Sequence, residues 1–484
     1  MCTNDETRRQ LEYAYGRRCI DANSAILERL VALRAEQAEL LGYDDHRAFV
    51  LEERMAKTPA RVESFLKDLS DKLEPYSQKE LKQLLALKAE ERESKNLISD
   101  GKINMWDARY YWRLQEERLY QVDQQKVKEY FPLDKVTKGL LGIYEELLGL
   151  KFEEILAPKK HVWHEDVRMF SVTDATTSRF IGQFYLDLHP REGKFGHAAC
   201  FGLQPGCGSP PTAPEADRES GMTVAAEAQA QAEGKNNRPW VFPACAMVAN
   251  FSKPTGGMPS LLEHSEVVTY FHEQGHCFHQ LLSRATYPEF SGTKVERDFV
   301  EAPSQMLEFW CWEPEALKRM SGHYKTGEPL TDDMIDKLSA SKQANAAMLA
   351  KRQICFGMFD QAIHAQSKVD TEAVFASVQQ QVTGLTATPG TNFAASFGHL
   401  AGGYDCSYFG YMYAEVFAAD MFYGRFKAEG LSSSKAGIDY RNCILAPGGS
   451  KDADEMLRDF LGRDPDMEPF LRGKGLLPQA QASL

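Results

Sequence analysis

At 484 residues the chain is long enough for one large domain or two to three ordinary ones, with a sizeable core in either case. Hydrophobic residues make up 43% and charged residues 26%, ordinary values for a soluble globular protein. With 56 basic against 69 acidic residues the net charge is −13, which argues against nucleic acid or an anionic membrane as partner, since both demand a positive footprint.

Ten cysteines (2, 19, 200, 207, 245, 277, 311, 355, 406 and 443) fall without C-x-x-C pairs or regular spacing. That pattern is neither a disulfide framework nor a zinc ribbon, and it fits free thiols in a reducing compartment. The polar start, Met1 to Glu6, leads straight into a charged helical pattern, so no signal or transit segment is expected. No apolar run approaches the roughly 18 residues that span a bilayer. The expected location is the cytoplasm.

From Thr7 to about Ile98 the pattern is helical and amphipathic: Ile26, Leu27, Leu30, Leu33 and Leu40-Leu41 recur near period 3.6. Gly42 and Asp44-Asp45 punctuate the run, and Thr58-Pro59 opens a helix with a cap followed by proline in the first turn. Leu81 to Lys95 reads as a further helix whose charge run is a solvated face. Tyr110-Tyr111-Trp112 is expected in a core, and helices are expected to continue to Leu150.

Then the period changes. Val167 to Met169, Phe180 to Leu188, Ala198 to Gly202, Trp240 to Phe242 and Ala246 to Phe251 read as strands. Between them, 208–237 is low in complexity and poor in large apolar residues, and is expected to be a flexible insertion. After Glu301 the chain is again mostly helical, broken at Pro314, Gly327 to Pro329, Pro389-Gly390 and Pro447 to Gly449. The expected fold class is therefore mainly α with one small β-sheet. The expected domains are a helical region over 1–157 and a catalytic region over 158–484.

His272-Glu273-Gln274-Gly275-His276 is an H-E-x-x-H pattern. On a helix, positions i and i+4 share a face, so two imidazoles can point at one ion with Glu273 beside it as general base. Such a pattern arises by chance in roughly a few per hundred chains of this size, so its neighbourhood must decide. A catalytic zinc ion needs a third protein ligand. A third histidine at the distal position is excluded, since Leu282 stands there. His279 shares the helical face, but packing or a hydrogen bond is the simpler role for it. A carboxylate from a second helix is the other solution, and by spacing Glu301 and Glu308 compete closely, with Glu289, Glu296 and Asp298 behind.

Phe271 to His276, Phe290 to Thr293, Asp298 to Glu308, His399 to Asp405 and Ile444 to Ser450, in that order, closely resemble the thimet oligopeptidase and neurolysin family of zinc peptidases. The resemblance runs from about Thr7 to Gly475. It implies a zincin-type, neurolysin-like catalytic fold with one zinc ion held by His272, His276 and Glu301. It implies hydrolysis of short peptides by an endopeptidase in which Glu273 activates the water held by zinc. His399, Tyr404, Tyr408 and Tyr411 match family positions that contact substrate or stabilise the transition state. Among them Tyr408 and Tyr411 are expected as the principal hydroxyl donors, with His399 assisting and Tyr404 binding substrate. Gly402 and Gly403 let that loop bend over substrate. Arg297 is placed to meet acidic substrate groups or to form a surface ion pair, and the strand around Gly196 to Cys200 to offer an edge to which a peptide adds. His197 is expected to be a hydrogen-bonded structural residue. A monomer with no nucleic-acid or membrane partner is expected.

Three departures from the family pattern stand out. Gln274 replaces the common phenylalanine, at a position expected to face outward or to lie behind the ligands. The 208–237 segment is longer than the usual connection. Thr7 aligns with the interior of the pattern, so an upstream helical portion that helps wall the family's channel is expected to be missing. Two rival readings follow: a dipeptidyl carboxypeptidase of the same group, or a truncated peptide-binding protein with little activity.

Overall fold

A computed structural model describes residues 2–208 and 240–477. The hydrophobic spacing of the first third is realised as helices with legible ends. Asn4 caps Asp5–Gly16, Ile20–Leu41 stops at left-handed Gly42, and the Thr58 hydroxyl accepts from the Arg61 amide to open Pro59–Ser94. That last helix is one 36-residue element rather than two, and Pro75 lies inside it without ending it.

Among the described residues the chain forms two compact units. One comprises Met1–Val122, Ala340–Ala414 and Leu471–Leu484; the other comprises Asp123–Ser339 and Glu415–Phe470. This division differs from a split near residue 157, and the packing of Leu133–Leu148 explains why. That helix buries Val136, Leu140, Ile143, Tyr144 and Leu147. The Tyr144 hydroxyl donates to the Phe271 carbonyl at 3.3 Å, and its ring meets Phe278 at 4.4 Å. The helix therefore belongs with the motif-bearing segment, not with the helices before it.

In the first unit, Tyr110 and Tyr111 pack with Leu84 and Met348, as a core role requires, and both hydroxyls donate to Glu91 at 2.6 Å. The expected solvated face of Leu81 to Lys95 is not solvated throughout. Lys88 is only 1% exposed, and its ammonium donates to Asp107 at 2.7 Å, with Asp100 at the same distance. A buried charge is tolerable only when paired in this way.

The second unit holds one five-stranded sheet of order β1-β2-β3-β5-β4, with β1 (Leu150–Glu154), β2 (Arg168–Asp174), β3 (Phe180–Asp187), β4 (Ala199–Gln204) and β5 (Ala244–Val248). All neighbours are antiparallel except β3 and β5. The helix expected to reach Leu150 ends at Leu148, and β1, which was not among the expected strands, follows it directly. Gly149, left-handed at φ 62°, ends the helix, and the strand that follows alternates burial. Trp240 to Phe242 forms no strand: Val241 makes a single bridge to Cys207, and Pro243, which has no N–H to give a ladder, precedes the start of β5. β5 ends at Val248 rather than at Phe251. Apart from Gly208, the expected insertion at 208–237 lies outside the described residues.

Phe278 of the His264–Leu282 helix packs on Phe152 of β1 and Phe184 of β3, so the sheet backs the motif helix directly. On another side, helix Ser434–Tyr440 crosses Leu133–Leu148 at Gly437, where a Cβ would overlap the Leu147 carbonyl. Gly437→Ala should therefore destabilise the protein by about 1–3 kcal/mol through overpacking. Urea unfolding checks this, and an unchanged midpoint would refute the close crossing.

Candidate metal centre

The His264–Leu282 helix begins with a reciprocal cap in which the Glu263 amide donates to Glu266 at 2.8 Å. Two turns in, His272 and His276 sit one above the other with their Nε2 atoms 3.2 Å apart. Glu301 comes from the next helix, Ala302–Glu308, where it occupies the N-cap ahead of Pro303. Its Oε2 lies 3.2 Å from each Nε2. Three ligand-type atoms thus form a nearly equilateral triangle that could hold a metal ion. With metal–ligand bonds of about 2.0–2.1 Å, the edge of a tetrahedral zinc site is about 3.3 Å. The donors fit a zinc ion.

Around the triangle the supporting contacts are specific. The Nδ1 of His272 donates to Glu308 Oε1 at 2.7 Å, which leaves Nε2 to face the triangle. Glu308, the rival candidate for third ligand, is therefore the group that orients the first. The Ser304 hydroxyl donates to the Glu301 carbonyl at 2.9 Å and approaches Oε2 at 3.4 Å. Gly275 lets the two helices meet, since a Cβ there would stand 2.8 Å from the Ser304 backbone. No sequence signal separated the roles of Glu301 and Glu308, because both lie on one face seven residues apart.

The electrostatics favour positive charge at the centre. Burial works against an ionised Glu301, yet the facing imidazoles outweigh it and hold the carboxyl well below its usual range. Burial opposes a charge on His272 too, but Glu301 and Glu308 override it and push the ring well upward. Glu273 sits between the two histidines in sequence, is 8% exposed, and is raised chiefly by burial. A buried carboxylate of raised pKa is a better base than an exposed one.

Other expected residues divide. His279 is fully buried with neither ring nitrogen hydrogen-bonded, and burial, helped by His276, pushes it down to about 3. It packs as a neutral ring outside the triangle. Gln274 does not face outward: it is fully buried and neither amide atom has a partner. The cause is that sheet and second helix enclose the motif helix on more than one face. His197 is exposed beside Phe195 rather than buried in a hydrogen-bond network. Arg297 is partly exposed in the turn before Glu301. β4 is an edge strand of the sheet and exposes Phe201 and Leu203.

The first unit gathers the aromatic group. The His399 ring lies 5.5, 5.2 and 5.8 Å from those of Tyr404, Tyr408 and Tyr411, and Tyr404 stacks on Tyr411 at 5.2 Å. Asp360 fixes the loop by accepting from the Cys406 and Tyr408 amides at 2.9 and 3.1 Å. The Tyr408 hydroxyl donates to Gln353 at 2.9 Å, and burial pushes its pKa up to about 12. Tyr404 and Tyr411 are less buried. Gly402 and Gly403 are exposed, with Gly403 at φ 87°. The second unit explains a further motif: Gly448 and Gly449 pack against the backbone of Phe290 and Lys294, leaving no room for side chains.

The model of Peptidase family M3 matches residues 1–476. The chain belongs to peptidase family M3. It is 38% identical to a thimet-like oligopeptidase of Dictyostelium discoideum over 98% of this chain and 68% of that protein. Saccharolysin of Saccharomyces cerevisiae is 39% identical over 98% and 64%, and oligopeptidase A of Escherichia coli 34% over 98% and 67%. The chain thus spans about two thirds of the length of these relatives. Among solved structures, a putative oligoendopeptidase F matches at TM-score 0.53 and 14% identity, covering 93% of this chain and 62% of its own. An M32 carboxypeptidase from Deinococcus radiodurans matches at 0.52 and 12%, covering 96% and 77%. At such identities the likeness concerns the fold, a mainly helical metallopeptidase architecture with one small mixed sheet.

The triangle yields a direct test of Glu308. Glu308→Ala should leave the fold intact and weaken zinc binding roughly tenfold to a hundredfold, because the His272 ring loses its orienting acceptor. Competition against a zinc indicator measures this. Unchanged affinity would contradict the role.

Proposed function

We propose that the chain is a zinc-dependent endopeptidase that hydrolyses short oligopeptides, with zinc held by His272, His276 and Glu301. The observation that carries this reading is the 3.2 Å triangle of Nε2, Nε2 and Oε2 atoms, with Glu273 on the same helix. Bound there, the ion would supply Lewis-acid polarisation of a peptide carbonyl and would acidify water.

Everything else falls to the chain's own groups. Glu273 takes a proton from the attacking water and passes it to the leaving amine. Its burial supports this role by raising its basicity. Glu308 keeps His272 in the ligand tautomer. β4, an edge strand among the described residues and in the unit that carries the triangle, supports binding of the substrate backbone as an added strand. His399, Tyr404 and Tyr411 act in this reading as substrate-facing donors, and Tyr408 joins them only by exchanging the bond its hydroxyl gives to Gln353; the ring contacts among the four support them as a group. Arg297, Gly402 and Gly403 complete the substrate contacts. A cytoplasmic setting is supported by ten free thiols. Among the described residues no helix is long and apolar enough to cross a membrane.

The test is Glu273→Gln. The variant should bind zinc as the parent does and lose at least about a hundredfold in cleavage of a quenched fluorescent peptide. Parent activity should vanish with a chelator and return with zinc. Full activity in the variant would sink the mechanism. Mapping products from peptides blocked at either end reads the bond cleaved: internal cuts in both support an endopeptidase, and exclusive loss of C-terminal dipeptides replaces it with a dipeptidyl carboxypeptidase.

A further inference from the structure

A second set of donors converges on the motif helix, and it is made only of sulfur. Cys200 of β4, Cys245 of β5 and Cys277 of the His264–Leu282 helix bring their Sγ atoms within 4.8 Å of one another. The sulfurs of Cys200 and Cys277 are 3.4 Å apart. All three are free thiols.

The convergence follows from register. Gly202 of β4 pairs with Cys245 of β5, and Cys200 pairs with Met247. Residues two apart on a strand share a face, as do directly paired residues on neighbouring strands. Cys200, Gly202 and Cys245 therefore look the same way. Gly202 looks toward the helix: a Cβ there would sit 3.3 Å from the Gln280 side chain, one turn beyond Cys277. Because Gly202 has no side chain, the space between strands and helix is left to the thiols. Cys245 and Cys277 are fully buried, and Cys200 is partly exposed, which gives the cluster a route to solvent.

Donor chemistry separates this cluster from the histidine–carboxylate triangle. Two imidazoles and a carboxylate suit zinc, whereas three thiolates select soft, thiophilic cations. We propose that Cys200, Cys245 and Cys277 form a second, sulfur-only cation site for a soft ion of the cadmium, copper(I) or mercury(II) class. Binding is ligand exchange without redox change: three S–H bonds break, three metal–sulfur bonds form, and three protons leave to solvent. Since Cys277 follows His276 in the helix, occupancy ties β4 and β5 to the turn that carries a zinc ligand.

Cadmium is the probe, added to the zinc-loaded protein with a non-thiol reductant. The expected result is one tightly bound equivalent with ultraviolet sulfur-to-cadmium charge-transfer absorption. Cys200→Ser, at the partly exposed position, should weaken that binding at least tenfold, and Cys245→Ser should do the same. The band should persist in His272→Ala, where the triangle is broken. In the parent protein, cadmium should slow alkylation of Cys200, the partly exposed member of the cluster, read by peptide mass spectrometry, so the result does not depend on any variant folding. Absence of the band, an undiminished band in Cys200→Ser, or protection of thiols outside the cluster instead would overturn the proposal. So would loss of two of the three thiols to a disulfide in place of metal binding.

Discussion

Three electron-rich atoms held 3.2 Å apart repel one another unless positive charge lies among them, and much of the second unit is arranged to hold them there. The motif helix stacks two histidines by its own period. A second helix brings Glu301 close because Gly275 presents no side chain to Ser304. Glu308 turns one ring, and Ser304 steadies the carboxylate. Behind the motif helix, Phe278 packs on the sheet and Tyr144 holds the Phe271 carbonyl. A metal ion would offset this like polarity, and the proposed function rests on that fit.

That hierarchy explains why the two histidines and Glu273 were legible from residues alone, while the third ligand was not. Helical period is local, and i, i+4 is visible in any sequence. Glu301 and Glu308 differ only in where their helix crosses the first one, a tertiary fact set by Gly275 and Ser304. The family resemblance supplied that choice, and the 3.2 Å approach of Glu301 to both imidazoles is compatible with it. The mainly helical class and four of the five strands were similarly legible, with shifted ends, since alternation and apolar runs mark them. β1 was hidden because Leu150-Lys151-Phe152-Glu153-Glu154 holds only two apolar residues and no β-branched one, and left-handed Gly149 alone marks its start.

Buried polar groups were the least readable. Lys88 looks like any lysine on a charged face, yet Asp107 and Asp100 draw it inside. Gln274 looks like an outward residue of the motif and is enclosed with its amide unpaired, at a cost of about 1–3 kcal/mol. Cys200, Cys245 and Cys277 are separated by 45 and 32 residues in the chain, so their meeting depends on sheet register. In each case the sequence carries the residue type but not the neighbour that decides its state.

The central claim, a zinc ion on two imidazoles and one carboxylate, is tested most directly by zinc-edge X-ray absorption on the purified protein. The account predicts one zinc per chain with a first shell of nitrogen and oxygen only, including two imidazole scatterers. A shell containing sulfur would place the zinc on the thiol cluster instead, and no stoichiometric zinc would remove the metal centre altogether.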